Sequence, residues 1–151
     1  MKVGIITQAL LNNYGGILQN YALQQVLKGM GHDVITIDYV SHFSFKKYII
    51  YILKTFLLLL LNKRRKFIPF YRKRNLFNQQ FVSQYIRTTD SVKKYTAQII
   101  KDYNLDAIVV GSDQVWRPEY NNDLYAMYLS FANDDDNFIR VAYAASFGID
   151  Q

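Results

Sequence analysis

Residues 107–116, with the sequence AIVVGSDQVW, decide how the rest of the chain is interpreted. The first four are an apolar run of strand length, and a glycine followed by three polar residues ends it. A short, continuously apolar run is typical of a strand buried in a parallel sheet. Because ligands bind just beyond the carboxyl ends of such strands, Ser112, Asp113 and Gln114 are predicted to lie at the edge of a binding crevice.

A strand–helix–strand unit is predicted at the N-terminus. Residues 2–7 and 34–37 are short apolar runs, and the loop at 12–16 leads from the first of them into a helix. Such a unit is parallel and right-handed. The loop lacks the dinucleotide-binding GxGxxG pattern, so Gly15 and Gly16 are either a tight turn or backbone N–H groups that face an anion. The helix has an apolar stripe that is expected to face the core: Leu18, Ala22, Val26 and Met30.

The composition limits the class of protein. The chain has 151 residues, half of them apolar, which suits one packed domain or one half of a larger protein. It has no cysteine, and its two histidines have no metal-ligand spacing, so no metal site is predicted. The N-terminus is too short and too polar for a signal peptide, which makes a cytoplasmic location the default.

A basic, aromatic-rich segment at residues 43–84 is predicted to be a helical insertion. Residues 39–89 hold eleven of the eighteen Lys and Arg residues and no Asp or Glu. The rest of the chain has seven basic against twelve acidic residues, a net charge of −5. Charge that is distributed so unevenly indicates an anionic partner for the basic segment.

Two interpretations of this insertion stay open. Residues 48–61 are almost entirely apolar, and a helix of that length, about 21 Å, is too short to span a bilayer. It is expected to be buried in the protein or in a partner subunit, or else to lie at a membrane interface beside the basic cluster at 63–66. A helix over 65–84 is predicted to follow, with its aromatic residues in the core. Nucleic-acid binding is not expected, since no recognised module is present.

The second half of the chain is predicted to extend the same sheet. Residues 85–89 are expected to be a short strand, 90–103 a helix, and 139–145 another buried strand. If 85–89 pairs outside the second strand, the strand at 107 lies beside the first, and the loops at 12–16, 111–114 and 145–148 meet at one crevice. The predicted class is therefore α/β, with a Rossmann-like, doubly wound parallel sheet.

Some polar residues have simpler interpretations. Ser112 and Asp113 can each cap a following helical turn. Trp116 is expected to be core rather than a stacking platform. Three adjacent acids at 134–136 could bind a cation, although a solvated turn is the commoner case.

Four motifs occur in order along the chain. Residues 13–23 read NYGGILQNYAL and residues 31–39 read GHDVITIDY. Residues 111–116 read GSDQVW and residues 143–148 read YAASFG. Together they resemble the motifs NYGAxLQxYAL, GHxVxxIDY, GSDQVWN and YAASFG of the polysaccharide pyruvyl transferase family. Gly16, Asn20 and Arg117 depart from these patterns, where alanine, alanine and asparagine are usual.

The resemblance implies a two-lobed, glycosyltransferase-B-like enzyme, of which residues 1–151 are the N-terminal lobe. Such enzymes transfer pyruvate from phosphoenolpyruvate to a sugar of a cell-surface polysaccharide, as a ketal, and the resemblance implies no further cofactor. The basic residues that bind the donor are expected mainly in the second lobe. The implied partners are phosphoenolpyruvate and a polysaccharide or lipid-linked sugar acceptor. An anionic membrane surface bound through residues 43–74, at the inner face of the membrane, and a homo-oligomer are further candidates.

Asp113 is the predicted base or ligand for the acceptor hydroxyl. Ketal formation needs a proton at the enol carbon, a base near a sugar hydroxyl, and cationic or N–H donors for phosphate and carboxylate. The alternative function is a glycosyltransferase-like or non-catalytic sugar- or nucleotide-binding module. Other residues predicted to contact substrate are Asn13, Gly15, Gly16, Gln19, Gly111, Ser112, Gln114, Arg117, Ser146 and Gly148.

Overall fold

The computed structural model describes residues 1–11, 13–40, 49, 70–121, 123–132 and 137–148. Within these ranges the chain forms a four-stranded sheet in which every pair of neighbouring strands is parallel. This sheet and its helices confirm the α/β, Rossmann-like prediction. The strands are β1 (Lys2–Ile6), β2 (Asp33–Thr36), β3 (Ala107–Gly111) and β4 (Ile139–Tyr143).

The strand order is β2-β1-β3-β4, so β1 lies between two strands that are far from each other in sequence. Val3 of β1 pairs with Val34 on one side and with Ala107 on the other. The chain therefore winds outward from β1 in both directions, and the switch point falls between β1 and β3, as predicted.

Four helices accompany the sheet in the described ranges. Helix α1 (Tyr14–Gly29) connects β1 to β2, and α2 (Phe70–Tyr85) and α3 (Ala97–Asp102) lie between β2 and β3. Helix α4 (Leu124–Met127) and a 3-10 turn (Ser130–Ala132) connect β3 to β4. None of the helices in the described part of the chain has the length and hydropathy required to cross a bilayer.

The core consists of apolar layers on the two faces of the sheet. One face of β1 and β3 packs against Leu23 and Leu27 of α1. A larger cluster covers the opposite face, where Ile108 of β3 packs with residues that include Ile99 of α3 and Met127 of α4. All five residues of β4 are exposed, whereas β2, at the opposite edge of the sheet, has three buried residues. The strand predicted over 139–145 is confirmed for 139–143, and the prediction that it is buried is wrong.

The predicted orientation of α1 is also wrong. Leu18, Val26 and Met30 of the expected core stripe are between 49 and 67% exposed. The helix instead buries the polar side chains of Asn20 and Gln24.

These buried amides have partners outside the helix. Gln24 Nε2 donates to Thr36 Oγ1 at 2.9 Å and to the Arg87 carbonyl at 2.7 Å. Thr36 Oγ1 in turn donates to Asn20 Oδ1 at 3.0 Å. A buried amide without partners costs free energy, and this network lowers that cost by satisfying Gln24 and Asn20 Oδ1. Asn20 Nδ2 remains buried without a hydrogen-bond partner among the described residues.

The segment between α2 and α3 differs from its prediction. Residues 85–89 form a single parallel bridge, Thr36 to Thr88, rather than a strand, because α2 continues to Tyr85. The helix predicted over 90–103 begins only at Ala97. Residues 90–92 are held beside the end of β2, where Val92 N–H donates to the Asp38 carbonyl, and they cannot also form the first turn of a helix.

Several predictions concern the basic segment. Residues 41–48 and 50–69, including the apolar helix and the basic cluster, lie outside the described residues, as does the acidic turn at 134–136. Helix α2 confirms the last part of the predicted helix. The prediction that its aromatic residues lie in the core holds only in part. Phe81 packs against Tyr21 with ring centroids 5.7 Å apart, whereas Phe77 is 73% exposed.

Candidate functional site

An open cleft of about 840 Å³ lies at the carboxyl ends of β1 and β3, on the switch point of the sheet. Two of the predicted loops meet there. The cleft contains the beginning of α1 and the loop after β3, and its polar lining residues are Gln8, Asn13, Gln19, Ser112, Asp113, Gln114 and Tyr120.

The structure brings most of the predicted site residues together at this cleft. Gly15 and Gly16 line it beside the polar side chains. Gly111 lies in a smaller pocket of about 240 Å³ that shares Gln19, Ser112 and Asp113 with the cleft and continues between α1 and β4. The walls of this smaller pocket are mainly apolar, formed by Ala22, Leu23, Val26, Tyr143 and Ala144.

Three predicted residues lie behind the cleft wall and contact Gln114 instead. Arg117 Nη1 donates to Gln114 Oε1 at 3.4 Å, and the Gln114 N–H donates to Ser146 Oγ at 3.1 Å. Gly148 lies directly against the side chain of Gln114. The loop after β4 thus supports the loop after β3.

The start of α1 is closed by its own cap. Asn13 precedes the helix in an extended conformation, and its Oδ1 accepts the Gly16 N–H at 3.2 Å. This N–H group is therefore satisfied within the chain, and the predicted role of Gly16 as a bare anion-binding N–H is not supported. A Cβ at Gly16 would lie 3.4 Å from Asn13 Nδ2, so the alanine usual in the resembling motif would fit the same cap.

Asp113 is exposed at the mouth of the cleft, and its surroundings are polar. Its Oδ1 accepts a hydrogen bond from Ser146 Oγ at 2.9 Å. Its backbone carbonyl accepts hydrogen bonds from Gln8 Nε2 at 3.2 Å and from Ser112 Oγ at 3.1 Å. Ser112 and Asp113 therefore do not cap the following turn. The Ser112 hydroxyl contacts the Asp113 carbonyl, and the Asp113 carboxylate contacts the Ser146 hydroxyl.

Arg117, which contacts Gln114 of the cleft wall, has acidic and aromatic partners. Arg117 Nε donates to Glu119 Oε2 at 3.2 Å, and the guanidinium carbon lies 4.8 Å from the centroid of the Tyr120 ring. The backbone N–H of Glu119 and the guanidinium of Arg117 together lower the pKa of the Glu119 carboxyl. Arg117 would have to leave this pair in order to bind an anionic substrate.

Trp116 fixes the far end of the loop, as expected for a core residue. Its Nε1 donates to the Met127 carbonyl at 3.2 Å. Its ring packs against Tyr128 and Phe147, with centroid distances of 5.5 and 5.8 Å.

Gln8 and Tyr120 line the cleft but were not predicted. Gln8 lies two residues after the end of β1, so its position at the carboxyl end of this strand could have identified it. Tyr120 lies in a loop with no strand end nearby in sequence, and only the fold places it at the cleft.

Comparison with known proteins extends the sequence resemblance. The family model described as polysaccharide pyruvyl transferase matches residues 13–151, which include α1, β3 and the loops after β3 and β4. No curated protein and no solved structure gives a significant match. A match over all but the first twelve residues shows that the chain belongs to the polysaccharide pyruvyl transferase family.

Proposed function

We propose that the chain serves in the transfer of pyruvate from phosphoenolpyruvate to a sugar of a cell-surface polysaccharide or its precursor, and that the cleft binds the acceptor sugar. The observation that carries this proposal is the composition of the cleft. Asp113 is the only carboxylate among its described lining residues, and amides from Gln8, Asn13, Gln19 and Gln114 surround it. Amides and a carboxylate can donate to and accept from adjacent sugar hydroxyls at the same time.

The chemistry of a cyclic ketal matches this arrangement. C3 of phosphoenolpyruvate gains a proton and becomes a methyl group, while a sugar hydroxyl oxygen adds to C2. The C2–O bond to phosphate then breaks, and a second hydroxyl of the same sugar takes its place. Both hydroxyls lose their protons, and inorganic phosphate leaves. Asp113 is proposed to accept a proton from the attacking hydroxyl or to hold that hydroxyl in line.

The donor is proposed to bind mainly outside this cleft. Phosphoenolpyruvate carries a phosphate and a carboxylate, and no cationic side chain is among the described lining residues. Arg117 contacts the lining residue Gln114, but it is paired with Glu119. We therefore propose that the chain is the acceptor side of a glycosyltransferase-B-like enzyme, and that basic residues of a second lobe hold the donor.

The test uses the protein expressed from its complete gene. It is incubated with phosphoenolpyruvate and a panel of methyl glycosides and oligosaccharides, each offering two neighbouring or 1,3-related hydroxyls. Phosphate release and the new ketal methyl signal in the proton NMR spectrum should rise together with at least one sugar. Binding of sugars without phosphate release would favour a non-catalytic module, and consumption of a nucleotide sugar would favour a glycosyltransferase.

A second proposal concerns location, and the basic segment carries it. Eleven Lys and Arg residues without an acid between 39 and 89 suit a docking element for anionic lipid, which would bring the enzyme to a lipid-linked acceptor. The four residues at 63–66, KRRK, are replaced by Gln, and Lys93 and Lys94 are replaced by Gln as the control. Only the first change should reduce co-sedimentation with phosphatidylglycerol vesicles. Binding that is indifferent to salt and to lipid charge would contradict the proposal.

A further inference from the structure

We propose that Ser146 is a positioning residue, which holds the carboxylate of Asp113 towards the acceptor hydroxyl and does not itself contact the sugar. The inference rests on the proposed function and changes the role predicted for Ser146 from its sequence. It is carried by the hydrogen bonds between the loops after β3 and β4.

The direction of the Ser146 hydroxyl is determined by its two partners. The backbone N–H of Gln114 can only donate, and it points to Ser146 Oγ at 3.1 Å. The single hydroxyl hydrogen is therefore available for Asp113 Oδ1, which lies 2.9 Å away. One half-buried hydroxyl thus links a main-chain donor to a side-chain acceptor and fixes the position of both.

The backbone around Ser146 is itself held in place. The Trp116 N–H donates to the Ser146 carbonyl at 3.1 Å, which joins the two loops a second time. The next residue, Phe147, packs against the Trp116 ring, so the two loops share an apolar contact as well as hydrogen bonds. The hydroxyl therefore approaches Asp113 from a fixed point rather than from a free loop.

The consequence concerns the two oxygens of the carboxylate. Ser146 occupies Oδ1, and no hydrogen-bond donor among the described residues contacts Oδ2. Asp113 is exposed, so packing does little to restrict its side chain. Without the serine hydroxyl it would rotate among its rotamers, and the reacting oxygen would lose its alignment. Misplacement of a reacting group by about 1 Å can lower a rate about a hundredfold.

The test compares Ser146→Ala with Ser146→Thr, which retains the hydroxyl. For the glycoside that the wild-type protein converts fastest, Ser146→Ala should lower kcat about ten- to hundredfold. Its KM and its calorimetric affinity for that glycoside should stay within about twofold, and Ser146→Thr should recover most of the activity. A loss of glycoside affinity as large as the loss of kcat/KM, or no recovery by Thr when Thr folds normally, would overturn the proposal.

A matched control and an activity-independent measurement complete the test. Ser91 Oγ donates to Asp38 Oδ2 at 2.5 Å, the same type of bond away from the cleft, and Ser91→Ala should leave kcat unchanged. Amide exchange at Gln114 should accelerate in Ser146→Ala and not in Ser91→Ala. If the wild-type protein forms no ketal with any sugar, the proposed function fails. Unchanged exchange at Gln114 would separately overturn the positioning role.

Discussion

Gly148 and Gln114 are so close that a side chain at position 148 would overlap with Gln114. A Cβ added to Gly148 would lie 2.1 Å from Gln114 Cγ. Both residues have left-handed backbone conformations, with φ of +64° at Gly148 and +57° at Gln114. Such a conformation is uncommon for glutamine, and strain of this kind persists only where the surroundings enforce it. The glycine after β4 therefore leaves the space that the loop after β3 requires.

Replacing Gly148 with Ala should lower the stability and the activity together. The new methyl group would displace Gln114. The backbone at position 148 would also keep a left-handed φ, which alanine disfavours by about 1–2 kcal/mol. Gly29→Ala is the control, because a Cβ there meets no atom within 4 Å at the end of α1. Thermal unfolding should show a lower Tm only for Gly148→Ala. Equal Tm values for the two variants would contradict the close contact.

Replacing Asp113 with Ala should lower turnover at least tenfold and leave Tm unchanged. General-base catalysis typically contributes about a hundredfold or more, and an exposed side chain contributes little to folding. The control is Asp102→Ala, which removes an exposed carboxylate that accepts from Gln98 on α3. Phosphate release measures turnover. Retained activity in Asp113→Ala, or its unfolding, would remove Asp113 from the proposed role.

Replacing Thr36 with Val should destabilise the fold by about 1–3 kcal/mol, since buried Gln24 and Asn20 would each lose a hydrogen-bond partner. The control is Thr96→Val, because Thr96 precedes α3 without a side-chain cap bond. Urea unfolding should separate the two variants clearly. A Thr36→Val protein as stable as the wild type would show that the network contributes nothing to stability.

Tyr95 should make the protein less stable in alkaline solution. Burial raises the pKa of its phenol, with smaller contributions from Tyr39, Asp38 and Asp123. The unfolded chain ionises near pH 10 while the folded chain stays neutral. This contribution to stability is therefore complete below about pH 10 and declines above it by up to about 1.4 kcal/mol per pH unit.

Tyr95→Phe isolates this effect. The Tyr95 hydroxyl is buried without a hydrogen-bond partner among the described residues, so its removal should not destabilise the protein at pH 7. Above pH 10 the variant should lose stability less steeply than the wild type, as measured by urea unfolding at a series of pH values. Tyr125→Phe, at a side chain that is 78% exposed, should follow the wild-type slope. Equal slopes for Tyr95→Phe and the wild type would contradict the prediction.

The sequence was sufficient where the signal is local. Apolar runs predict β1, β2 and β3, and the glycine and polar residues after them predict the loops that meet at the cleft. Parallel pairing and right-handed connections then leave few possible strand orders. Asn13 and Asp113 could be placed at one edge of the sheet by this reasoning alone.

The sequence was insufficient where a partner is distant. Gln24 is a surface residue by hydropathy, and it is buried only because the Arg87 backbone, 63 residues away, satisfies its amide. Asp90 and Ser91 have side chains that commonly cap helices. The N–H of the next residue, Val92, instead donates to the Asp38 carbonyl just beyond β2, so no helix begins there. Such outcomes depend on tertiary contacts that a periodic pattern does not contain.

The order of the strands also determines when the cleft can form during synthesis. Gln8 contacts a carbonyl 105 residues further along the chain, so the loops after β3 and β4 are made long after β1. At about 5–20 residues per second, β1 is made roughly 5–20 s before its neighbour β3 exists. Until then one edge of the central strand is unpaired and open to other chains. A chaperone that covers β1 during this interval would protect this edge of the sheet before Asp113 has been translated.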